Sequence, residues 1–212
     1  MQYVVQVFHM HDTAAKTIPD ANLRVRRIQM LTVVWMSIEA AVSIYAAIRA
    51  HSVALLGFGG DSAIELASAA TVLMRFSSRE SFISERQASK ITGGLLLALA
   101  VFIAGDSIYS LLGNIRPESS YLGMTLLVAA AVVMPWLAAH KRRLAAESQS
   151  SSLRADATQS SICGYLAWIA LVGLVLNAAF GLTWADSLAA LALLPIIIKE
   201  AIEARRGNSC CH

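Results

Sequence analysis

Residues 121–139 read Tyr121-Leu-Gly-Met-Thr-Leu-Leu-Val-Ala-Ala-Ala-Val-Val-Met-Pro-Trp-Leu-Ala-Ala139, 19 positions without a charged side chain. At about 1.5 Å of helical rise per residue, such a run reaches across a bilayer core of about 30 Å. Blocks of the same kind recur on both sides of it. Met30–Ile48, Val53–Phe76 and Ile91–Leu112 precede it, and Ile162–Phe180 and Ser187–Ala204 follow. Backbone groups in lipid must be paired within their own segment, and blocks this long suit helices rather than barrel strands. The reading is an all-α membrane protein, a six-transmembrane-helix bundle. Six such spans leave no room in a 212-residue chain for a second globular domain. The expected division is a cytoplasmic N-terminal segment 1–27, a six-helix membrane domain 28–206 and a Cys/His tail 207–212.

Composition agrees. Hydrophobic residues make up 57% of the chain and charged ones 15%, with a mean hydropathy of +0.59. A soluble domain carries about 25% charged residues. This excludes a soluble enzyme, a secreted disulfide scaffold and a conventional nucleic-acid binder. Three cysteines, Cys163, Cys210 and Cys211, are too few and too clustered for a disulfide framework. Met1–Phe8 lacks the basic start and apolar core of a secretory signal. Of the 17 Lys and Arg residues only Arg49 and Arg116 fall on one face of the bilayer; the other connections and both ends hold the rest. That asymmetry is a positive-inside signal and places both termini in the cytoplasm.

Ionisable groups inside a membrane cost several kcal/mol, so each needs a reason. Glu39 lies in the first span, Asp61 and Glu65 in the second, Asp106 in the third and Asp156 at or in the fifth. No Lys or Arg is expected deep in any span, which leaves cations or protons as the missing partner. Asp61 and Glu65 are four apart and share one helix face, a spacing at which two carboxylates can grip one divalent ion. Small residues around them (Gly57, Gly59, Gly60, Ser62, Ala63) allow a neighbouring helix to come close.

For Asp156 two readings stand. It is a helix-start acid at the cytoplasmic edge, or the fifth helix begins near Ser148 and its polar half lines a cavity. In the second case Ser152, Asp156, Gln159, Ser160 and Cys163 form one stripe. Glu39 and Asp106 are candidates for a proton relay or a second metal position, or else bundle-facing acids bonded to a neighbour. Asp186, after Trp184, reads as the N-cap of the sixth helix. Cys163 reads as a small buried apolar residue.

Gly57-Phe-Gly-Gly-Asp61-Ser-Ala-Ile-Glu65-Leu-Ala-Ser68 resembles the second helix of the cation diffusion facilitator (cation efflux) family, whose site motif is an Asp/His-x-x-x-Asp pair. Ser152-Leu-Arg-Ala-Asp156-Ala is similar to that family's fifth-helix motif, and Trp184-Ala-Asp186-Ser-Leu-Ala-Ala to the opening of its sixth helix. The likeness runs from Arg24 to Arg206 in order.

It implies a six-helix divalent-cation transporter, usually a homodimer, that exports Zn²⁺ or a related ion in exchange for protons. It places Asp156 in the membrane, with Asp61 and Glu65, on a tetrahedral site between the second and fifth helices. Ser152 stands where the family has His or Asp, so Gln159, Ser160 or water is expected to complete the shell. The family's usual cytoplasmic C-terminal domain is not in this chain, which looks like a short member.

The expected mechanism is alternating access about a site near the bilayer middle, in a bacterial-type plasma (inner) membrane. The partners are lipid, divalent metal ions and protons, with no nucleic acid. The metal is cargo rather than a permanent cofactor: Zn²⁺ is favoured, with Mn²⁺, Fe²⁺, Cd²⁺ and Co²⁺ as further candidates. An all-oxygen shell suits the harder ions. Cys210-Cys211-His212 and His9-Met10-His11 offer soft ligands at the two ends. The alternative is a non-transporting metal sensor or a structural partner in a complex. An enzyme is not expected: the chain has no G-x-S-x-G, no H-E-x-x-H and no histidine within a span.

Overall fold

In a computed structural model of the chain, described here for residues 2–77, 85–113 and 117–206, six helices and no strand are found among those residues. Side chains are described for 23–67, 69–70, 90–113, 117–150 and 153–205. The helices are α1 (Gln2–Ala50), α2 (Val53–Ser77), α3 (Glu85–Leu112), α4 (Tyr121–Ser148), α5 (Ser151–Phe180) and α6 (Trp184–Arg206). Within them, Leu23–Ala50, Lys90–Leu112, Tyr121–Ser148 and Leu153–Phe180 are long and apolar enough to cross a membrane. The other two helices, α2 and α6, hold Asp61, Glu65, Asp186, Lys199, Glu200 and Glu203.

Short, well-capped turns explain why consecutive helices lie side by side. His51 takes a left-handed conformation (φ 52°) and the Ser52 amide donates back to the Ala47 carbonyl, closing α1. Between α4 and α5, Gln149 is also left-handed (φ 50°), and Ser150 caps α5 by accepting from the Leu153 amide. Gly181 (φ 64°) ends α5, a conformation glycine adopts without steric penalty.

The α5 boundary bears on the two readings of Asp156. The helix starts at Ser151 and Asp156 is fully buried, so the acid faces the bundle. On the preceding helix, α4 runs on past Ala139 to Ser148 and carries the expected loop cations Lys141, Arg142 and Arg143 on helical turns.

α2 sits at the centre, packed against α1, α3, α5 and α6, while α4 pairs with α5 and α3 with α6. Close approach between α1 and α2 requires Gly59, where a Cβ would stand 2.5 Å from Ser43 Oγ and 3.1 Å from the Ile44 backbone nitrogen. The polarity of the bundle is that of a lipid-embedded protein. Val34, Ile38, Ile48, Val101, Phe102 and Val132 are exposed. Gln29, Glu39, Asp61, Glu65, Lys141, Asp156 and Ser160 are fully buried.

Asp186 does not cap its own helix. It lies in the first turn of α6, and its carboxylate accepts from the Val53 amide (2.8 Å) and the Ser52 hydroxyl (2.5 Å) at the start of α2. The acid thus satisfies orphan donors of a different helix and ties the ends of α2 and α6 together.

Candidate metal centre

α2 presents Asp61 and Glu65 one turn apart, both fully buried. α5 turns Asp156, Ser160 and Cys163 towards them, at the four- and seven-residue offsets that share a helix face. The result is a cluster in which one ligand atom each of Asp61, Glu65 and Cys163 lies within 4.8 Å of the others.

The surroundings are polar and mostly acidic. Glu65 Oε1 accepts from the Ser160 hydroxyl at 2.6 Å. Glu39, from α1, accepts from Ser62 (2.7 Å), from the Trp35 indole (2.5 Å) and from the Cys163 thiol (3.4 Å). Glu200, from α6, lies within electrostatic range of both Asp61 and Glu65.

Among the described residues, one ammonium enters this group. Lys141 is fully buried and pairs with Asp156 at 2.8 Å, donating also to Ser160 at 2.7 Å. Gln29 adds a 2.8 Å bond to the same Asp156 oxygen. A continuous path of polar contacts therefore runs from Gln29 through Asp156, Lys141 and Ser160 to Glu65. The expectation that no basic residue reaches inside the bundle is corrected here. α4 is longer than its apolar run, and its helical phase turns Lys141 inwards.

What is left without a partner is as informative. Neither oxygen of Asp61 has a partner in good hydrogen-bond geometry, although the Cys163 sulfur is close enough to interact with the carboxylate. Glu65 Oε2, Asp156 Oδ1 and the Gln159 amide nitrogen are also unmatched. Leaving one buried polar atom unpaired costs about 1–3 kcal/mol, and more when it is charged. Buried carboxylate oxygens without a partner are donors that a divalent cation can take up.

The remaining sequence candidates fall as follows. Gln159 is half-buried on α5, and Ser160 is in the path just described. Ser152 belongs to the first turn of α5, but its side chain lies outside the described residues, as do Cys210, Cys211 and His212. Asp106 is half-buried on α3 and within electrostatic range of Asp186, with no hydrogen bond to the metal-type cluster among the described residues. Sequence reasoning missed Lys141, Glu200 and the polar role of Cys163. A signal for Lys141 was present: it continues the buried α4 stripe Met134, Leu137, Ala138 and Ala145 at helical spacing.

Residues 30–208 match the family described as the cation efflux transmembrane domain. The chain belongs to the cation efflux family. Comparison with curated proteins gives no match. The resemblance carried by the α2, α5 and α6 motifs therefore holds. This cation efflux protein is an integral, multi-pass membrane protein and a metal cation efflux transporter, from a family of transporters rather than enzymes. Its working environment is the lipid bilayer, and its substrates are metal ions carried as cargo.

Proposed function

We propose that the protein exports Zn²⁺ or a related divalent transition metal by proton-coupled antiport, through alternating access about the Asp61–Glu65 pair. The observation that carries the reading is the fully buried Asp61 carboxylate with both oxygens unpartnered, one turn from Glu65 on the same helix face. Asp61 and Glu65 are the α2 ligands, and α5 supplies the facing half through Asp156, Ser160, Gln159 and Ser152. Asp156 is held by Lys141 and Gln29 in this conformation and joins the ion when Lys141 releases it.

Carboxylates suit an exchanger because metal and proton compete for the same oxygens. Ion release on the far side then follows protonation, and Glu39 lies beside the site as a proton relay. Asp106, far along α3, serves the outer end of the path, and the Cys210-Cys211-His212 tail offers the soft ligands that meet the ion on the cytoplasmic side. Both termini face the cytoplasm, and the transporter works as a homodimer in a bacterial-type inner membrane.

Proteoliposomes test this directly. Protein with Asp61→Asn is expected to stay monodisperse in detergent yet to lose metal-driven proton movement across a panel of Zn²⁺, Cd²⁺, Mn²⁺, Fe²⁺ and Co²⁺. Wild-type rates from that variant would remove Asp61 from the mechanism. Metal flux with no opposing proton movement would remove the antiport.

A further inference from the structure

We propose that Cys163 is a direct metal ligand, so that the transported ion is held by Asp61, Glu65 and a thiolate, and that this sulfur biases the transporter towards soft divalent ions such as Cd²⁺ and Zn²⁺ over Mn²⁺. The proposal rests on the transport reading above and deepens it by naming a ligand that the α2 and α5 motifs do not contain. Cys163 lies seven residues beyond Asp156 on α5, roughly 10 Å further along the helix axis.

Three observations carry it. The Cys163 sulfur and one oxygen each from Asp61 and Glu65 already lie within 4.8 Å of one another. Ligand atoms around a tetrahedral zinc ion stand about 3.5 Å apart, so a contraction of about 1 Å closes the shell. Such a contraction is within the reach of side-chain rotation. Both oxygens of Asp61 are buried and unpartnered, and one of them belongs to this group of three. The third observation concerns the fifth-helix acid, because one oxygen of Asp156 is already taken by the Lys141 ammonium and the Gln29 amide. Among the described residues, the α5 ligand atom that groups with those of Asp61 and Glu65 is the Cys163 sulfur.

The chemistry balances. A metal–sulfur bond forms as the S–H bond breaks, and the proton leaves along the hydrogen bond that the thiol donates to Glu39 Oε1 at 3.4 Å. No redox change is involved. While Lys141 and Gln29 hold Asp156, three protein ligands leave a fourth position open, as suits an ion that must depart again. Thiolate ligands favour Zn²⁺ and Cd²⁺, whereas carboxylates alone suit Mn²⁺.

The experiment removes the other two cysteines, since Cys163, Cys210 and Cys211 are the three in the chain. Purified Cys210→Ser/Cys211→Ser protein is titrated with Co²⁺ and its near-ultraviolet spectrum recorded. A strong sulfur-to-cobalt charge-transfer band is expected, and the further change Cys163→Ser abolishes it. In proteoliposomes, Cys163→Ser is expected to lose Cd²⁺ flux at least about tenfold more than Mn²⁺ flux.

A Co²⁺ complex without a thiolate band in the single-cysteine protein would overturn the proposal, and that result needs no Cys163 variant to fold. An unchanged Cd²⁺ to Mn²⁺ ratio in a monodisperse Cys163→Ser protein would overturn it as well. The two readings fail separately: a thiolate band without any metal flux sinks transport and keeps the ligand, and flux without the band does the reverse.

Discussion

Replacing the Lys141 ammonium by an apolar chain would leave Asp156 fully buried with one hydrogen bond, from Gln29, where it now has an ion pair. Breaking a buried pair by deleting one partner costs about 3–5 kcal/mol, whereas replacing both partners by apolar residues is often neutral. Lys141→Met is therefore expected to lower Tm in detergent markedly, and Lys141→Met/Asp156→Leu to recover most of the loss. Thermal unfolding of both variants is the check, and equal destabilisation by the two would show that the pair is not coupled. The same residue marks a limit of sequence reading. Lys141 stands in the run His140-Lys141-Arg142-Arg143, where three cations in a row read as a cytoplasmic loop. Only the continuation of α4 gives each of them a direction. Lys141 then turns inwards, while Arg142 and Arg143 stay exposed.

Helix termini carry the next level of organisation. The first turn of α2 exposes backbone donors that no preceding residue of the helix can satisfy, and the Asp186 carboxylate of α6 takes the Val53 amide. Removing that acceptor in Asp186→Ala is expected to cost about 0.5–2 kcal/mol, the range of a lost N-cap. Asp186→Asn keeps a carbonyl acceptor and should keep most of the stability. A Tm loss of the same size in both would mean that charge, not acceptance, matters at this helix end. Sequence reading placed Asp186 at a helix start correctly and assigned it to the wrong helix. The residue type signals that a helix end needs an acceptor; which end it serves depends on how α6 lies against α2. The central pair was fully legible, because Asp61 and Glu65 share a face through spacing within a single helix. Cys163 was not, because a buried cysteine is an ordinary apolar residue until another helix brings carboxylates to it.

At the scale of the bundle, the described residues expose large apolar side chains such as Val101 and Val132. They bury Glu39, Asp61, Glu65, Lys141 and Asp156 within a mostly apolar core, as suits helices set in lipid. The distribution of basic residues predicts a cytoplasmic C-terminus. A fluorescent protein fused to the C-terminus is expected to be bright and alkaline phosphatase fused there inactive, in keeping with a cytoplasmic end; the reverse pattern would invert the orientation and with it the direction of transport. Hydropathy and helical rise were enough to establish from the sequence alone that the chain is a bundle of membrane helices, because lipid acts on each segment separately. They also located the α2 acids, since a four-residue spacing fixes a shared face without reference to any other helix. Tertiary structure alone decided what those acids meet. Pairing Lys141 with Asp156, joining Ser160 to Glu65, bringing Glu200 near them and setting the Cys163 sulfur beside Asp61 each depend on contacts between helices distant in sequence. Such contacts arise from packing in three dimensions, and no local pattern of residues encodes them.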